Sequence, residues 1–219
     1  MVLGRPAIDG ATEPKWLGSM RIDSRQASIF CRCWLMMKEV RLHGRGGQGV
    51  VSAAQLLADA AVFEGKYVQA FPEFGAERSG APIAAYARIS DGPIEIHSFI
   101  RNPDVVIICD RSMVCLNSTA QGLSENGWFI CNYLGAPEEL RSKLGLHPSV
   151  KIITLDATGI AIRTFGRDYP NTPMLGALLK ATGIVGLESM EKALGERFKG
   201  ELLAGNQEAL RQGYGGAPT

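Results

Sequence analysis

An α/β fold in three layers, with helices on both faces of a mostly parallel sheet, is what the sequence predicts. The first ground is a glycine-rich turn. Lys38-Glu39-Val40-Arg41-Leu42 alternates polar and apolar residues as a strand does, and residues 50–61 place apolar side chains three and four apart as a helix does. Between them stands His43-Gly44-Arg45-Gly46-Gly47-Gln48-Gly49, so a strand passes through glycines directly into a helix. The second ground is Val105-Val106-Ile107-Ile108-Cys109, a continuous apolar run that marks a strand covered on both faces. The third is the end of the chain, which carries apolar residues at helical spacing with charges opposite them. Together they describe a Rossmann-like three-layer sandwich with an inserted antiparallel hairpin and C-terminal helices.

Taken in order, residues 1–36 show neither hydrophobic period and are expected to be a disordered extension or the product of a misassigned start. A single α/β domain is expected over 37–214, with a flexible tail at 215–219. After the first strand and helix, Gly65 is the stop signal, and Tyr67-Val68-Gln69-Ala70-Phe71 reads as a second strand completing a right-handed βαβ unit. Pro72-Glu73-Phe74-Gly75-Ala76-Glu77-Arg78-Ser79-Gly80-Ala81-Pro82 then mixes turn formers with charges and has no core periodicity. A loop at the carboxyl end of a strand lies where open α/β sheets bind ligands. Residues 83–89 and 94–98 flank Asp91-Gly92, which predicts an antiparallel hairpin between those two segments.

Asp110 ends the apolar strand at 105–109, and a helix over 112–120 leads to strand Trp128-Phe129-Ile130-Cys131-Asn132. Pro137 with Glu138 and Glu139 opens another helix, and a last strand at 151–155 ends at Asp156. Helices follow at 157–165, from Asn171 to a stop at Gly183, at 187–194 and at 201–211. The segment Gly213-Tyr214-Gly215-Gly216 is expected to fray.

Composition bounds the function. The 219 residues suffice for one buried core, and 46% hydrophobic with 21% charged residues is ordinary globular usage. A formal net charge of +1 gives no bulk attraction to nucleic acid or a membrane surface. No apolar run reaches the roughly 18 residues of a spanning helix. Five cysteines with no C-x-x-C pair argue against a disulfide framework and for a reducing cytoplasm. Cys31-x-Cys33 is half a metal-ligand set and supports no metal site.

Gly44, Gly46 and Gly49 fit G-x-G-x-x-G, and Gly47 adds a fourth glycine. The free N–H groups and positive dipole end of the next helix make such a turn an anion site. Dinucleotide binding also needs an acid at the tip of the second strand, and Glu73 lies past Pro72 instead. His43 is either a base or, more commonly at a strand end, a structural hydrogen-bonding group. Glu77 and Arg78 are either a solvated pair or a ligand or subunit contact. Asp110 and Asp156 are either metal ligands or, more commonly, caps of the helices they precede. The chain shows no nucleophile elbow, no paired metal ligands and no Walker lysine, so no catalytic residue is assigned.

The run Val40-Arg41-Leu42-His43-Gly44-Arg45-Gly46-Gly47-Gln48-Gly49-Val50-Val51, the segment Gln69-Ala70-Phe71 with the loop after it, and Tyr169-Pro170-Asn171-Thr172-Pro173-Met174-Leu175-Gly176-Ala177 resemble the gamma subunit of 2-oxoacid:ferredoxin oxidoreductases. The Phe-Pro-Glu-Phe-Gly form of the loop is most like the pyruvate (pyruvate synthase) branch. The resemblance implies coenzyme A-dependent oxidative decarboxylation of a 2-oxoacid to an acyl-CoA, with ferredoxin as electron acceptor. It implies companion alpha, beta and ferredoxin-like delta subunits that hold thiamine diphosphate, Mg and 4Fe–4S clusters, while this chain alone binds none of them. Coenzyme A, as co-substrate, would be met by Gly44, Arg45, Gly46, Gly47, Gln48, Gly49, Glu73, Glu77, Arg78 and Ser79. Arg45 and Arg78 beside the helix N-terminus would make a locally positive pocket. A stand-alone Rossmann-like nucleotide-binding module is the alternative.

Overall fold

A computed structural model describes residues 37–73 and 80–217. Its strands are β1 (Lys38–Arg45), β2 (Tyr67–Glu73), β3 (Pro82–Ser90), β4 (Val105–Ile108), β5 (Trp128–Asn132) and β6 (Lys151–Leu155). Its helices are α1 (Val50–Phe63), α2 (Asn117–Ala120), α3 (Pro137–Leu144), α4 (Ala157–Phe165), α5 (Asn171–Thr182), α6 (Leu187–Arg197) and α7 (Gly200–Gly216), with a 3-10 turn at Arg111–Met113. The six strands form one sheet in the order β2-β3-β1-β4-β5-β6. β1, β4, β5 and β6 pair in parallel, and β3 runs antiparallel to both of its neighbours. β2 therefore points the same way as β1, and only β3 runs against the rest.

The strand alternation divides the core in two. Val40 and Leu42 of β1, with Ala85, Ala87, Ile107, Ile130 and Ile153, face α1 and α4–α7. Val106, Ile108, Phe129 and Cys131 face the other way, onto Met113, Val114 and Leu140. Thr172 to Leu179 of α5 are all buried, which is why this helix lacks a polar face in the sequence. It packs against α7 through glycines. A Cβ on Gly176 would lie 2.6 Å from the Tyr214 amide nitrogen, and one on Gly213 would lie 2.7 Å from the Pro173 carbonyl carbon.

Several expectations are corrected. The antiparallel hairpin exists, but its strands are β2 and β3, joined across residues 74–81; residues 94–98 form no strand. The cause is Arg88, which is 1% exposed and takes the Ile96 and Ser98 carbonyls as acceptors, while Gln69 takes that of Ile94. Side chains thus claim the carbonyls that a ladder would have used. β3 also sits between β1 and β2, so the βαβ unit is opened by an intervening strand. The helix expected over 112–120 is broken into the 3-10 turn and α2. Finally, α7 continues through Gly216, because Gly213 is buried against α5 rather than free in solvent.

Candidate functional site at the carboxyl edge

The glycine-rich turn joins β1 to α1 at the carboxyl edge of the sheet. A Cβ on Gly44 would lie 2.5 Å from Val50 Cγ2 and 3.3 Å from Cys109 Cβ, so glycine lets the helix start close against the strands. Gly47 (φ 99°) and Gly49 (φ 76°) take left-handed backbone, which other residues adopt only with strain. Gly49 is the N-cap of α1 and supplies no side-chain cap; the Asn171 side chain of α5 lies against it. Much of the turn is bonded internally. The Arg45 N–H donates to Gln48 Oε1 at 2.9 Å, that of Gly46 to the Ala81 carbonyl at 2.9 Å, and that of Gln48 to the Arg45 carbonyl at 3.1 Å. The dipole end of α1 carries no acidic residue in its first turn.

Between β1 and β4 the chain changes direction across the sheet, and open α/β sheets bind ligands at such a crevice. Here it is knit together by side chains. Gln48 Nε2 donates to Asp110 Oδ2 at 2.8 Å, and the Ser112 N–H and hydroxyl both donate to Asp110 Oδ1. Arg45 lies 3.4 Å from the same carboxylate and donates to Ser112 Oγ at 2.8 Å and to the Gly80 carbonyl at 3.0 Å. Burial pushes the Asp110 carboxyl up, but the bonds from Ser112 and Gln48 with the Arg45 charge bring it below the usual range. Further along, Asn132 donates to the Cys109 carbonyl and to Thr158 Oγ1, both at 2.8 Å. Asp156 caps α4 through the Gly159 N–H at 2.8 Å and pairs with Arg111.

The structure places Gly44 to Gly49 beside Gly80 and Ala81, so the glycine turn and the end of the second loop meet at one edge. Arg45 is not a free cation there: Asp110 neutralises it. Glu73 stands apart, beyond β3, and accepts a hydrogen bond from the Tyr86 hydroxyl. Burial, together with the Glu73 bond, pushes the Tyr86 hydroxyl up to about 12. Glu77, Arg78 and Ser79 lie outside the described residues, as does Cys31-x-Cys33. His43 Nε2 is buried and has no hydrogen-bond partner, so this ring nitrogen does not make the structural bond expected of it. Burial and the neighbouring Arg41 charge pull its pKa down to about 4, which keeps the ring neutral near pH 7. Asp110 and Asp156 act as caps. Sequence reasoning missed Asn132, Thr158 and Asn171 as members of this edge; for Asn132 the signal was its place at a strand end, like that of Asp110.

Among the described residues no group of three or more His, Cys, Asp or Glu side chains gathers as a metal site. Cys109 and Cys131 are buried, with their thiols pushed up by that burial, Cys109 to about 12; Cys115 is exposed. The described residues therefore offer no ligand set for an iron–sulfur cluster. No described helix is long and apolar enough to cross a membrane.

The family model of pyruvate ferredoxin/flavodoxin oxidoreductase matches residues 39–216, which takes in both the glycine turn and α5. The chain belongs to this oxidoreductase family. Pyruvate synthase subunit PorC of Thermotoga maritima is 48% identical over 80% of this chain and 92% of its own length. The common gamma subunit of the pyruvate/ketoisovalerate oxidoreductases of Thermococcus litoralis is 49% identical over 81% of this chain and 96% of its own. The crystal structure of pyruvate oxidoreductase subunit PORC from Thermotoga maritima superposes with a TM-score of 0.75 at 44% identity, covering 84% of this chain and 98% of that one. The gamma-subunit resemblance read from the motifs thus holds across the matched residues 39–216, and the PorC names agree with the pyruvate branch.

Proposed function

We propose that this chain is the gamma-type subunit of a pyruvate:ferredoxin oxidoreductase, shaping one side of the reaction chamber without holding the reaction centre. The observation that carries this reading is the closed crevice between β1 and β4. Arg45, Gln48, Ser112 and Asp110 satisfy one another where a stand-alone nucleotide-binding domain would need free donors. What remains is a preformed polar surface, suited to facing a partner.

In this reading the complex decarboxylates a 2-oxoacid oxidatively to an acyl-CoA and passes the electrons to ferredoxin in the cytoplasm. Thiamine diphosphate with Mg supplies the carbanion chemistry and 4Fe–4S clusters the electron path, both from companion alpha, beta and ferredoxin-like delta subunits. This chain contributes assembly surface and a contact for coenzyme A. The N-terminus of α1 behind Gly49 offers a dipole end without a carboxylate of its own helix to repel a phosphate. Gly44 to Gly49, with Glu77, Arg78 and Ser79, remain the residues proposed to line that contact, while Glu73, set apart beyond β3, is dropped from it.

Purification under native conditions tests the proposal. A stoichiometric complex that reduces ferredoxin with pyruvate and coenzyme A is the expected outcome. A monomer that retains a bound nucleotide would refute it in favour of a stand-alone module.

A further inference from the structure

On the face opposite α1, α2 meets β1 where Arg41 donates to the Thr119 carbonyl at 3.0 Å, and Ile100 packs on Ala84 and Tyr86 over the β2–β3 part. Residues 94–101 cross that part as an irregular segment. Arg88 fixes that segment. Its guanidinium pairs with Glu39 at 2.7 Å, bonds Gln69 at 3.0 Å, and donates to the carbonyls of Ile96 at 3.3 Å and Ser98 at 2.6 Å. It also lies 5.5 Å from the centre of the Phe71 ring. A buried charge so fully bonded makes a rigid anchor rather than a strained one.

Phe99 is the next residue along. Its ring stands 6.2 Å from that of Phe71 and 5.7 Å from that of Tyr86. Yet Phe99 is 57% exposed, and Tyr67, on the same edge strand as Phe71, is 50% exposed. A cleft of about 360 Å³ opens here, lined by Phe71, Pro72, His97, Ser98, Phe99 and Arg101. His97 and Arg101 are exposed on its rim, and neither enters an ion pair among the described residues.

Single exposed apolar residues need no explanation, but a preformed aromatic cleft with an arginine on its rim does. Interface anchors are aromatic and arginine side chains set around such pockets. We propose that this cleft docks a companion subunit of the oxidoreductase, receiving an apolar side chain between Phe71 and Phe99 with a carboxylate beside it on Arg101. The charge follows from Arg101, an exposed guanidinium on the rim that enters no ion pair among the described residues and that a basic partner segment would meet unfavourably. This inference rests on the reading of the chain as a subunit.

The test is titration of the labelled chain against the rest of the complex. Phe99→Ala should weaken association about thirtyfold, the factor an interface hot spot carries. Arg101→Glu should weaken it at least about tenfold by charge reversal, with Arg101→Lys close to the unmodified chain. The urea midpoints of the Arg101 variants should be unchanged, and that of Phe99→Ala lowered only slightly by the loss of its contacts with Phe71 and Tyr86. Wild-type affinity in both Phe99→Ala and Arg101→Glu would overturn the inference while leaving the subunit reading intact. A dimer of the chain alone that Phe99→Ala abolishes would also overturn it, by making a second copy the occupant. No association of the unmodified chain would instead bring down the subunit reading, and the inference with it.

Discussion

The contact between α5 and α7 yields the sharpest stability test, because one helix carries both the perturbation and its control. A Cβ added at Gly213 would stand 2.7 Å from the Pro173 carbonyl carbon and 2.8 Å from its Cα, with the Pro173 oxygen nearer still. Carbon atoms rest at about 3.5 Å or more, so the backbones must part by roughly 1 Å. Backbone cannot rotate aside as a flexible side chain would. Forced overpacking of this kind costs about 1–3 kcal/mol, against which alanine gains about 1 kcal/mol of helix propensity over glycine. The Pro173 carbonyl contact puts the site at the upper end, so Gly213→Ala should lose about 2 kcal/mol net. Gly215, two residues on in the same helix, has nothing within 4 Å of where a Cβ would stand. Gly215→Ala should therefore be neutral or gain up to about 1 kcal/mol. Urea denaturation of the purified chain, read by helical circular dichroism, separates the two by their midpoints. If Gly213→Ala were as stable as Gly215→Ala, the close approach of α5 and α7 would be refuted.

The other expectations concern charge, ligand and chain start. His43 stays neutral in the fold down to pH about 4 but takes up a proton near pH 6.5 when unfolded, so stability is full above pH 6.5 and falls as the pH drops toward 4. His43→Leu should remove about 2–3 kcal/mol of that loss, measured as the difference between the two pH–stability curves; parallel curves would show that the ring is not held neutral. Arg78→Ala should raise the KM for coenzyme A in an assembled complex, whereas Gly46→Ala should act through folding; an unchanged KM in the intact Arg78→Ala complex would exclude the contact proposed for Arg78. Removal of residues 1–36 should leave the urea midpoint and assembly unchanged, and a loss of several kcal/mol would mean that they pack on the domain.

What the sequence made legible were features whose cause is local. The alternation in β1 and the glycines after it dictate a strand, a tight turn and a helix. The apolar run before Asp110 dictates a strand buried on both faces, and Asp110 and Asp156 fall at strand ends, where each caps the next helical turn. What was not legible depended on distant partners. Asp91-Gly92 is a hairpin signal in isolation, but burying Arg88 required acceptors, and residues 94–98 supplied them. Gly213 to Gly216 have poor helix propensity, yet the last turn of α7 holds because glycine is what fits under Pro173. His43 shows the same limit: nothing in its neighbours along the chain reveals that Nε2 is left without a partner.

The electrostatics of the carboxyl edge arise from the same dependence on distant partners. From sequence, Arg45 beside a helix N-terminus promised a positive pocket. In the fold, Arg45 meets Asp110 and Arg111 meets Asp156, so two cations and two carboxylates cancel at the edge. Such partly exposed pairs add little stability, about 1 kcal/mol or less each, but they offset charge that would attract a passing anion. The Gln48 bond to Asp110 then ties the glycine turn to β4, fixing its shape without a ligand. Beside these pairs, the α1 amides behind Gly49 keep a directional pull, with no acidic residue in the helix's first turn. Among the described residues, this arrangement favours short-range orientation of an anion over long-range attraction. That suits the gamma-type role proposed above, in which substrate capture and chemistry belong to partner subunits.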